Sequence, residues 1–179
     1  MRGTGGFYAA DMRLRPIDEA NPVQRALRGL VASRPGAWVS RRVLHRIDGV
    51  AHRIAPGRAL PSQWVAAVPV GMLTTTGARS GLPRAVPLML APLEDGWGVI
   101  ASSYGSERPP AWYFNLRAHP RATLEVDGVR HPVRAVQVQG PERERVREAA
   151  LAYYRGYTAY EMRAGGRDLG FFVLHPERD

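Results

Sequence analysis

Residues 73–84 read Leu73-Thr74-Thr75-Thr76-Gly77-Ala78-Arg79-Ser80-Gly81-Leu82-Pro83-Arg84. Apolar and β-branched residues lie on both sides of this stretch, which predicts two strands joined by a hydroxyl-rich loop with two glycines. Backbone N–H groups of such a loop can turn outward and hold an anion, and the two arginines add positive charge. The loop therefore predicts a site for a phosphorylated ligand. A tight hairpin turn with exposed polar residues is the alternative interpretation.

A second loop of similar composition follows the next apolar run. It reads Ala101-Ser102-Ser103-Tyr104-Gly105-Ser106, and a short helix is predicted to start at Pro109 and Pro110. Small residues let the backbone approach a ligand, and a helix N-terminus favours an anion. An ordinary connecting loop is the alternative. Within the helix, Trp112 is expected to pack in the core, whereas Asn115 is either a ligand or a cap.

The composition limits the chemistry. The chain has 179 residues, a net charge of +9, and arginine as its only basic residue apart from five histidines. The absence of lysine excludes Schiff-base chemistry, and the absence of cysteine excludes thiolate nucleophiles, disulfides and iron–sulfur clusters. The histidines have no metal-ligand spacing beyond one pair on a predicted helix, so no metal site is predicted. Catalysis would use hydroxyls, arginines, carboxylates or a cofactor.

The arginines are spread along the chain instead of forming one basic tract. A barrel that binds nucleic acid would carry solvent-facing aromatic residues on strands between arginines. Here the tyrosines fall on a predicted helix and Trp97 stands alone on its strand, so no nucleic-acid partner is expected. No apolar run has the length of a membrane span, and the absence of cysteine fits a reducing compartment. We therefore expect a cytoplasmic protein with a small-molecule partner.

Three regions are predicted along the chain. Residues 1–20 are glycine-rich with mixed charge and are predicted to be flexible, residues 21–60 to form N-terminal helices, and residues 61–179 to form one cofactor-binding domain. Apolar residues recur at helical spacing over residues 36–54, opposite three arginines. This helix either packs on the body of the protein or lies on anionic lipid, which would give a peripheral membrane contact.

The third region alternates short strands with helices. Asp127-Gly128 between two alternating runs is a strong hairpin signal. Mostly antiparallel strands with interspersed helices predict an α+β fold, with a sheet of about six strands curled into a small barrel. A long helix is predicted from Pro141, with a bend at Gly156. The predicted strands span residues 65–76, 82–92, 97–103, 122–126, 129–138 and 169–174, and the short helix spans residues 109–118.

Four tyrosines fall on the long predicted helix, at positions 153, 154, 157 and 160. At about 100° per residue they share one side of that helix. Tyr153 and Tyr157 could be core residues, or the four phenols together could form a pocket wall with flat apolar faces and hydroxyl tips. No Ser/His/Asp triad or carboxylate pair is recognisable.

Together these motifs resemble the deazaflavin-dependent nitroreductase family, a branch of the split β-barrel flavin-binding proteins. The order and spacing of the motifs argue against a chance match. The resemblance covers about Leu60 to Pro176 and rests on Thr74–Arg84, Ala101-Ser102, Pro110–Leu116, Ala118–Arg121, the tyrosines spaced by three, Arg167, and Val173–Pro176.

The resemblance implies a split β-barrel that binds coenzyme F420, an 8-hydroxy-5-deazaflavin with a polyanionic tail, with FMN less favoured. Arg79, Ser80 and Arg84 would meet the phosphate and tail, in a loop that also includes Thr76 and Gly77. Trp112 and Asn115 would complete the pocket. Tyr154, Tyr157 and Tyr160 would be the catalytic residues on the acceptor side. The deazaflavin ring would be lined by Val86, Pro87, Leu88, Met89, Ala101, Ser102 and Ser103.

The implied reaction is hydride transfer from C5 of the reduced cofactor to an electron-poor quinone, enone or nitro compound. Departures from the family pattern at Ser103, Pro109 and Gly170 suggest weaker cofactor affinity. A non-catalytic carrier of a deazaflavin or flavin would use the same pocket, so the sequence leaves both functions open. It also leaves open whether the protein is a monomer or a homodimer.

Overall fold

The computed structural model describes residues 68–177 of the chain. The predicted flexible segment 1–20, the predicted helices of residues 21–60 and the lipid-contacting helix of residues 36–54 lie outside the described residues. So do residues 65–67 of the first predicted strand. No helix within the described part of the chain is both long and apolar enough to cross a lipid bilayer.

Seven strands, three α-helices and one 3₁₀ turn make up the described residues. Helix α1 is the predicted short helix, and α2 and α3 occupy the region predicted as one long helix. The elements are β1 (Val70–Thr76), β2 (Pro83–Met89), β3 (Ala91–Leu93), β4 (Gly96–Ile100), the 3₁₀ turn (Ser103–Gly105), α1 (Ala111–Ala118), β5 (Arg121–Val126), β6 (Val129–Val138), α2 (Gly140–Tyr153), α3 (Gly156–Arg163) and β7 (Phe171–Pro176).

All seven strands belong to one antiparallel sheet with the order β2-β1-β5-β6-β7-β4-β3. The two edge strands, β2 and β3, are consecutive in sequence and are separated only by Leu90, whose N–H donates to the carbonyl of Pro69 at 2.8 Å. Because the chain passes directly from one edge to the other, the sheet must curl on itself. The predicted α+β fold with a curled, barrel-like sheet is confirmed.

Two features of the sheet follow from its prolines and glycines. Strand β2 pairs only with β1 and carries Pro83 and Pro87, as expected for an edge strand, since proline cannot donate to a ladder. Asp127 and Gly128 join β5 to β6 with φ angles of 48° and 82°. Positive φ at both positions is typical of the tight type I′ hairpin turn, so the predicted hairpin is confirmed.

The sheet buries a hydrophobic cluster on each face. One cluster joins Phe172 and its neighbours to Trp112 of α1, and the other joins Phe171 to Val146 of α2 and Tyr157 of α3. Successive residues of a strand point to opposite faces, which explains why Phe171 and Phe172 enter different clusters. Each such side chain stabilises the fold by about 1.5–3 kcal/mol.

Two predicted strand boundaries are wrong at the candidate site. The strand predicted over residues 82–92 divides at Leu90 into β2 and β3, where the chain crosses between the sheet edges. The strand predicted over residues 97–103 ends at Ile100, because Ser103 and Tyr104 have left-handed φ angles of 47° and 57° that no extended strand can accommodate.

The last strand and the long helix also differ from prediction. Strand β7 spans Phe171–Pro176 because its last residues pair with β6. The predicted long helix divides at Tyr154, whose backbone is extended (ψ 100°), and α3 starts at Gly156. The Tyr154 ring folds back so closely over Gly156 that a Cβ there would overlap the ring. The helix therefore ends before Tyr154, because the ring of this residue is buried with an extended backbone.

Candidate functional site

The two glycine-bearing loops leave the sheet at the same end. Four antiparallel steps separate β1 from β4, so the two strands run in the same direction. Strand β1 ends at Thr76 and β4 ends at Ile100. Residues 77–82 and 101–106 therefore both leave from this end of the sheet, which we call the loop end.

The Asn115 side chain fastens α1 to the first loop. This buried amide accepts a hydrogen bond from the Ala78 N–H at 2.9 Å and donates to Thr75 Oγ1 at 3.0 Å. Thr75 Oγ1 in turn donates to the carbonyl of Arg84 at 3.3 Å. Asn115 lies inside α1, so it is not a cap. Its hydrogen bonds fix the loop, and its predicted contact with the cofactor stays a prediction.

The first loop closes tightly on itself. The Gly77 N–H donates to the carbonyl of Leu82 at 2.9 Å, and the Gly81 N–H donates to the carbonyl of Gly77 at 2.8 Å. Gly81 has a φ of 66°, a conformation that favours glycine. Ser80 Oγ accepts a hydrogen bond from the Leu82 N–H at 3.3 Å. The loop is thus a compact turn with an exposed rim. This geometry agrees with both interpretations of the sequence, the anion site and the tight hairpin turn.

The rim of this loop carries two arginines that are available for an anion. Arg79 and Arg84 are exposed, and within residues 68–177 neither guanidinium takes part in an ion pair or a side-chain hydrogen bond. Other arginines of the described region pair with carboxylates, namely Arg121, Arg130, Arg134, Arg143, Arg145 and Arg147. Two cations without a carboxylate partner beside a turn favour binding of an anion.

Strand β2 leads from these arginines to the protein interior. Its residues Val86–Met89 are half-buried, and Val86 and Leu88 pack against the cluster that contains Trp112 and Ala101. Met89 packs against the other cluster, which contains the three tyrosines. At about 3.4 Å per residue, Arg84 and Met89 are about 17 Å apart along the strand. The predicted tail and ring residues therefore occupy opposite ends of β2.

The second loop is an unusual left-handed turn. Ala101 and Ser102 are buried, and the next three residues all have positive φ, with 81° at Gly105. The Gly105 N–H donates to the carbonyl of Ser102 at 2.9 Å. A Cβ on Gly105 would lie 2.7 Å from Cβ of Arg163, so only glycine fits where this loop meets α3.

The three predicted catalytic tyrosines come together, but in the protein interior. Tyr154, Tyr157 and Tyr160 have exposed fractions of 6%, 6% and 4%. Their ring centroids are 5.8–6.0 Å apart, and the hydroxyls of Tyr154 and Tyr160 share a hydrogen bond of 2.8 Å. Tyr104 of the second loop packs edge-on against Tyr160, with centroids 5.8 Å apart. The interpretation as a core residue thus holds for Tyr157, the burial of Tyr154 and Tyr160 was not predicted, and the catalytic role of all three stays a prediction.

The environment of these tyrosines keeps them protonated. Burial raises the pKa of Tyr154 to about 12. Burial also raises the pKa of Tyr157 and of Tyr160, and neighbouring phenols add to both shifts. A phenol that stays protonated at neutral pH can donate a hydrogen bond or a proton.

Arg167 has a structural role that the sequence did not reveal. Its guanidinium donates to the carbonyls of Ala101, Ser102 and Ser106, all in the second loop. In the sequence Arg167 stands out only as one of the motifs of the family resemblance, which assigns it no role. The partners of Arg167 are backbone carbonyls, which every residue type has, so the sequence of the second loop does not identify them.

A family model described as F420H(2)-dependent quinone reductase matches residues 47–176. The chain belongs to this family. An F420H(2)-dependent quinone reductase of Mycobacterium tuberculosis is 35% identical over 105 residues, which cover 57% of this chain and 70% of that protein. A putative F420H(2)-dependent quinone reductase of the same organism is 33% identical over 79 residues, covering 44% of this chain and 66% of that protein.

Solved structures support the same assignment. A structure of an F420-H2 dependent reductase superposes with a TM-score of 0.56 at 32% identity, covering 60% of this chain and 94% of the other. Another, described as a domain-swapped dimer, has a TM-score of 0.57 at 29% identity and covers 79% and 99%. Membership of the quinone reductase family confirms the predicted oxidoreductase class and the dependence on coenzyme F420. The family matched carries the quinone reductase name, whereas the sequence indicated the nitroreductase branch.

Proposed function

We propose that this protein transfers a hydride from reduced coenzyme F420 to a quinone. The observation that carries the proposal is a pair of arginines, Arg79 and Arg84, that have no carboxylate partner within residues 68–177 and lie at the exposed end of β2. The other end of that strand packs against a cluster of protonated tyrosines. One strand thus joins a place for an anionic tail to an apolar interior with phenol donors. Enones and nitro compounds are further acceptors for the same chemistry.

The residues present fit the cofactor. Arg79, Ser80 and Arg84 would hold the phosphate and the acidic tail. The shape of the turn that carries them depends on Gly77 and on Thr75, which precedes Thr76 at the end of β1. The ring would lie against the apolar side chains of β2 and the small residues of the second loop. The first group of residues is charged and polar, which suits the anionic tail. The second group is largely apolar, which suits the ring. When bound, reduced F420 supplies the hydride from C5 of its deazaflavin ring.

The tyrosines would act on the acceptor. A quinone gains negative charge on oxygen as it receives a hydride, and a neutral phenol can stabilise that charge by donating a hydrogen bond. Tyr157 is the residue that we assign to this role, with Tyr154 and Tyr160 fixed beside it by their shared hydrogen bond. The buried rings also exclude water from the reacting atoms.

Cofactor preference is the direct test. We expect oxidised F420 to bind more tightly than FMN, because the loop arginines suit a long acidic tail. We also expect the affinity to fall with added salt, since exposed charges are screened over about 8 Å at physiological ionic strength. Fluorescence quenching titrations at low and high salt measure both effects. Equal or tighter binding of FMN would contradict the proposal.

Arg79 allows a test of the tail contact. We expect Arg79→Ala to raise the cofactor Kd by about tenfold or more while leaving kcat at saturation within about twofold, because a contact far from the reacting carbon acts equally on ground and transition states. Arg130→Ala is the matched control, since Arg130 lies beside the 127–128 turn at the opposite end of the sheet. A fall in kcat at unchanged Kd would refute the assigned role.

Tyr157 allows a test of the proton donor. We expect Tyr157→Phe to lower kcat by about tenfold or more, which corresponds to a barrier change of about 1.4 kcal/mol. Phenylalanine keeps the ring, so cofactor affinity and thermal stability should change little. Tyr153→Phe removes a half-buried phenol that precedes Tyr154 in the chain and serves as the control. If the Tyr157 variant is as fast as the parent, Tyr157 only packs and water supplies the proton.

A non-catalytic carrier of the deazaflavin is the second candidate function, because it would need the same anion loop and the same apolar strand. The absorbance of reduced F420 separates the two functions. Catalysis predicts multiple turnovers of oxidation when menadione is added with a trace of protein. A carrier would bind a stoichiometric amount of cofactor and would not accelerate its oxidation.

A further inference from the structure

All three nitrogens of the Arg167 guanidinium donate hydrogen bonds to backbone carbonyls of the second loop. Nε and Nη2 donate to the Ser106 carbonyl at 3.2 and 3.0 Å, and Nη2 also donates to the Ser102 carbonyl at 3.2 Å. Both terminal nitrogens donate to the Ala101 carbonyl at 3.3 Å. One planar group therefore holds three carbonyls that span residues 101–106. Lysine could not reproduce this arrangement, because its ammonium is a single point with three donors.

The chemical setting of Arg167 is that of a structural cation. Its side chain is half-buried, and burial lowers the pKa of its guanidinium. Within residues 68–177 its hydrogen-bond partners are carbonyl oxygens, and it forms no ion pair with a carboxylate. A cation bound only to carbonyls keeps its positive field, which also favours an anionic ligand on the other side of the loop.

The loop that Arg167 holds is under conformational strain. Ser103 and Tyr104 are not glycine, yet both lie in the left-handed region at φ 47° and 57°. Such residues persist only where their surroundings fix them, and they concentrate at functional sites. On the α3 side the loop is fixed by the contact of Tyr104 with Tyr160. On the side of its carbonyls it is fixed by Arg167.

The carbonyls held by Arg167 determine where the loop N–H groups point. In a planar trans peptide the C=O and the N–H point in opposite directions. The peptide that joins Ser102 to Ser103 turns its carbonyl toward Arg167, so the Ser103 N–H points away from the guanidinium. Ser103 belongs to the predicted ring-lining set and is half-buried.

We propose that Arg167 is a positioning residue for hydride transfer: its guanidinium fixes the left-handed turn of residues 101–106 so that the Ser103 N–H faces the cofactor ring. This inference rests on the proposed function for the identity of the ligand. It extends that function by assigning the geometry of the ring side to a residue that does not touch the cofactor. It also predicts that Arg167 and Arg79 act differently, one on ring geometry and the other on tail affinity.

Hydrogen exchange of the cofactor-free protein tests the structural half of the inference. We expect Arg167→Gln to speed exchange of the Gly105 and Ser106 amides, which donate to the Ser102 and Ser103 carbonyls, by about tenfold or more, because local opening becomes easier when the loop loses its guanidinium donor. Arg167→Lys keeps the charge but not the fork, and should speed the same amides by a similar factor. Arg147→Gln is the matched control, since Arg147 is also half-buried and bonds Glu161 of α3 without touching the loop.

Steady-state kinetics test the functional half. We expect Arg167→Gln to lower kcat by about a hundredfold at saturating F420, the order of loss that a misplacement of about 1 Å causes. The lysine variant should lose at least about tenfold, and Arg147→Gln should stay within about twofold of the parent. The inference fails if loop exchange and kcat of both Arg167 variants match the parent, or if lysine restores both in full. If the parent binds no F420, the proposed function fails, whereas the exchange result still decides the role of Arg167 in the loop.

Discussion

Replacing Asn115 with leucine should weaken cofactor binding by about a hundredfold and lower the free energy of unfolding by about 1–3 kcal/mol. Leucine fills a similar volume but cannot bond the Ala78 N–H or the Thr75 hydroxyl, both of which meet the Asn115 amide. The variant loses two hydrogen bonds worth about 0.5–1.5 kcal/mol each, while the Thr75 hydroxyl keeps its bond to the Arg84 carbonyl. The loop that carries Arg79 then loses its attachment to α1. Urea unfolding and F420 titration measure the two effects.

Thr75→Val separates the two hydrogen bonds. Valine removes the Thr75 hydroxyl but leaves the bond from the Ala78 N–H to Asn115, so its losses of cofactor affinity should fall between those of the parent and those of Asn115→Leu. Ala78 belongs to the loop and Thr75 to the end of β1, so an intermediate variant shows which attachment shapes the anion site. Cofactor affinity equal to the parent in Asn115→Leu would mean that the loop holds its shape by its own turn bonds.

The sequence predicted those parts of the fold whose signals are local. The Asp127-Gly128 hairpin followed from a turn that needs positive φ at both residues. The helix at residues 111–118 followed from the prolines on either side of it. In each case the residue type itself restricts the backbone, so a short window is sufficient.

The boundaries that were wrong depend on contacts distant in sequence. Strand β4 ends at Ile100 because the next loop is held by Arg167, more than sixty residues later. The predicted long helix divides because the Tyr154 ring is buried and its hydroxyl meets Tyr160. Neither interaction alters the local pattern of apolar residues. Periodicity alone therefore extends both elements too far.

The same distinction applies to the candidate site. Arg79 and Arg84 could be recognised in the sequence because both lie close to hydroxyl residues and glycines in one short stretch. In the structure neither has a carboxylate partner within residues 68–177. Asn115 was recognised as important, but its attachment of α1 to the first loop was missed, since its partners lie 37 and 40 residues away in the chain. The burial of the tyrosines could not be predicted, because a pocket wall and a core need the same helical spacing.

Alkaline pH should destabilise the protein strongly through its buried tyrosines. In an unfolded chain a tyrosine ionises near pH 10, whereas burial raises the pKa of Tyr154 to about 12 in the folded protein. Below pH 10 both states keep the proton, so this residue adds no pH dependence. Between pH 10 and pH 12 only the unfolded state loses it. Stability therefore falls as pH rises, by about 1.4 kcal/mol per pH unit for one tyrosine.

Tyr157 and Tyr160 add to this loss in the same direction, since burial raises the pKa of each. Even Tyr154 alone accounts for about 2.7 kcal/mol over two pH units, a large part of the usual 5–15 kcal/mol of a folded domain. We therefore expect the urea midpoint to be constant from pH 7 to pH 9 and to fall steeply above pH 10. Tyrosinate absorbance should rise together with unfolding instead of before it.

Phenylalanine variants show whether the cluster causes the fall. Tyr157→Phe removes one ionisable group while keeping its ring contacts with Tyr154 and Tyr160, so the slope of stability above pH 10 should lessen by about 1.4 kcal/mol per pH unit. A slope unchanged by this variant would contradict the prediction. A solvent-facing tyrosine wall would behave differently, because exposed phenols ionise near pH 10 in both states and leave stability almost independent of pH. The alkaline titration therefore tests whether the phenols form a buried cluster or a solvent-facing wall.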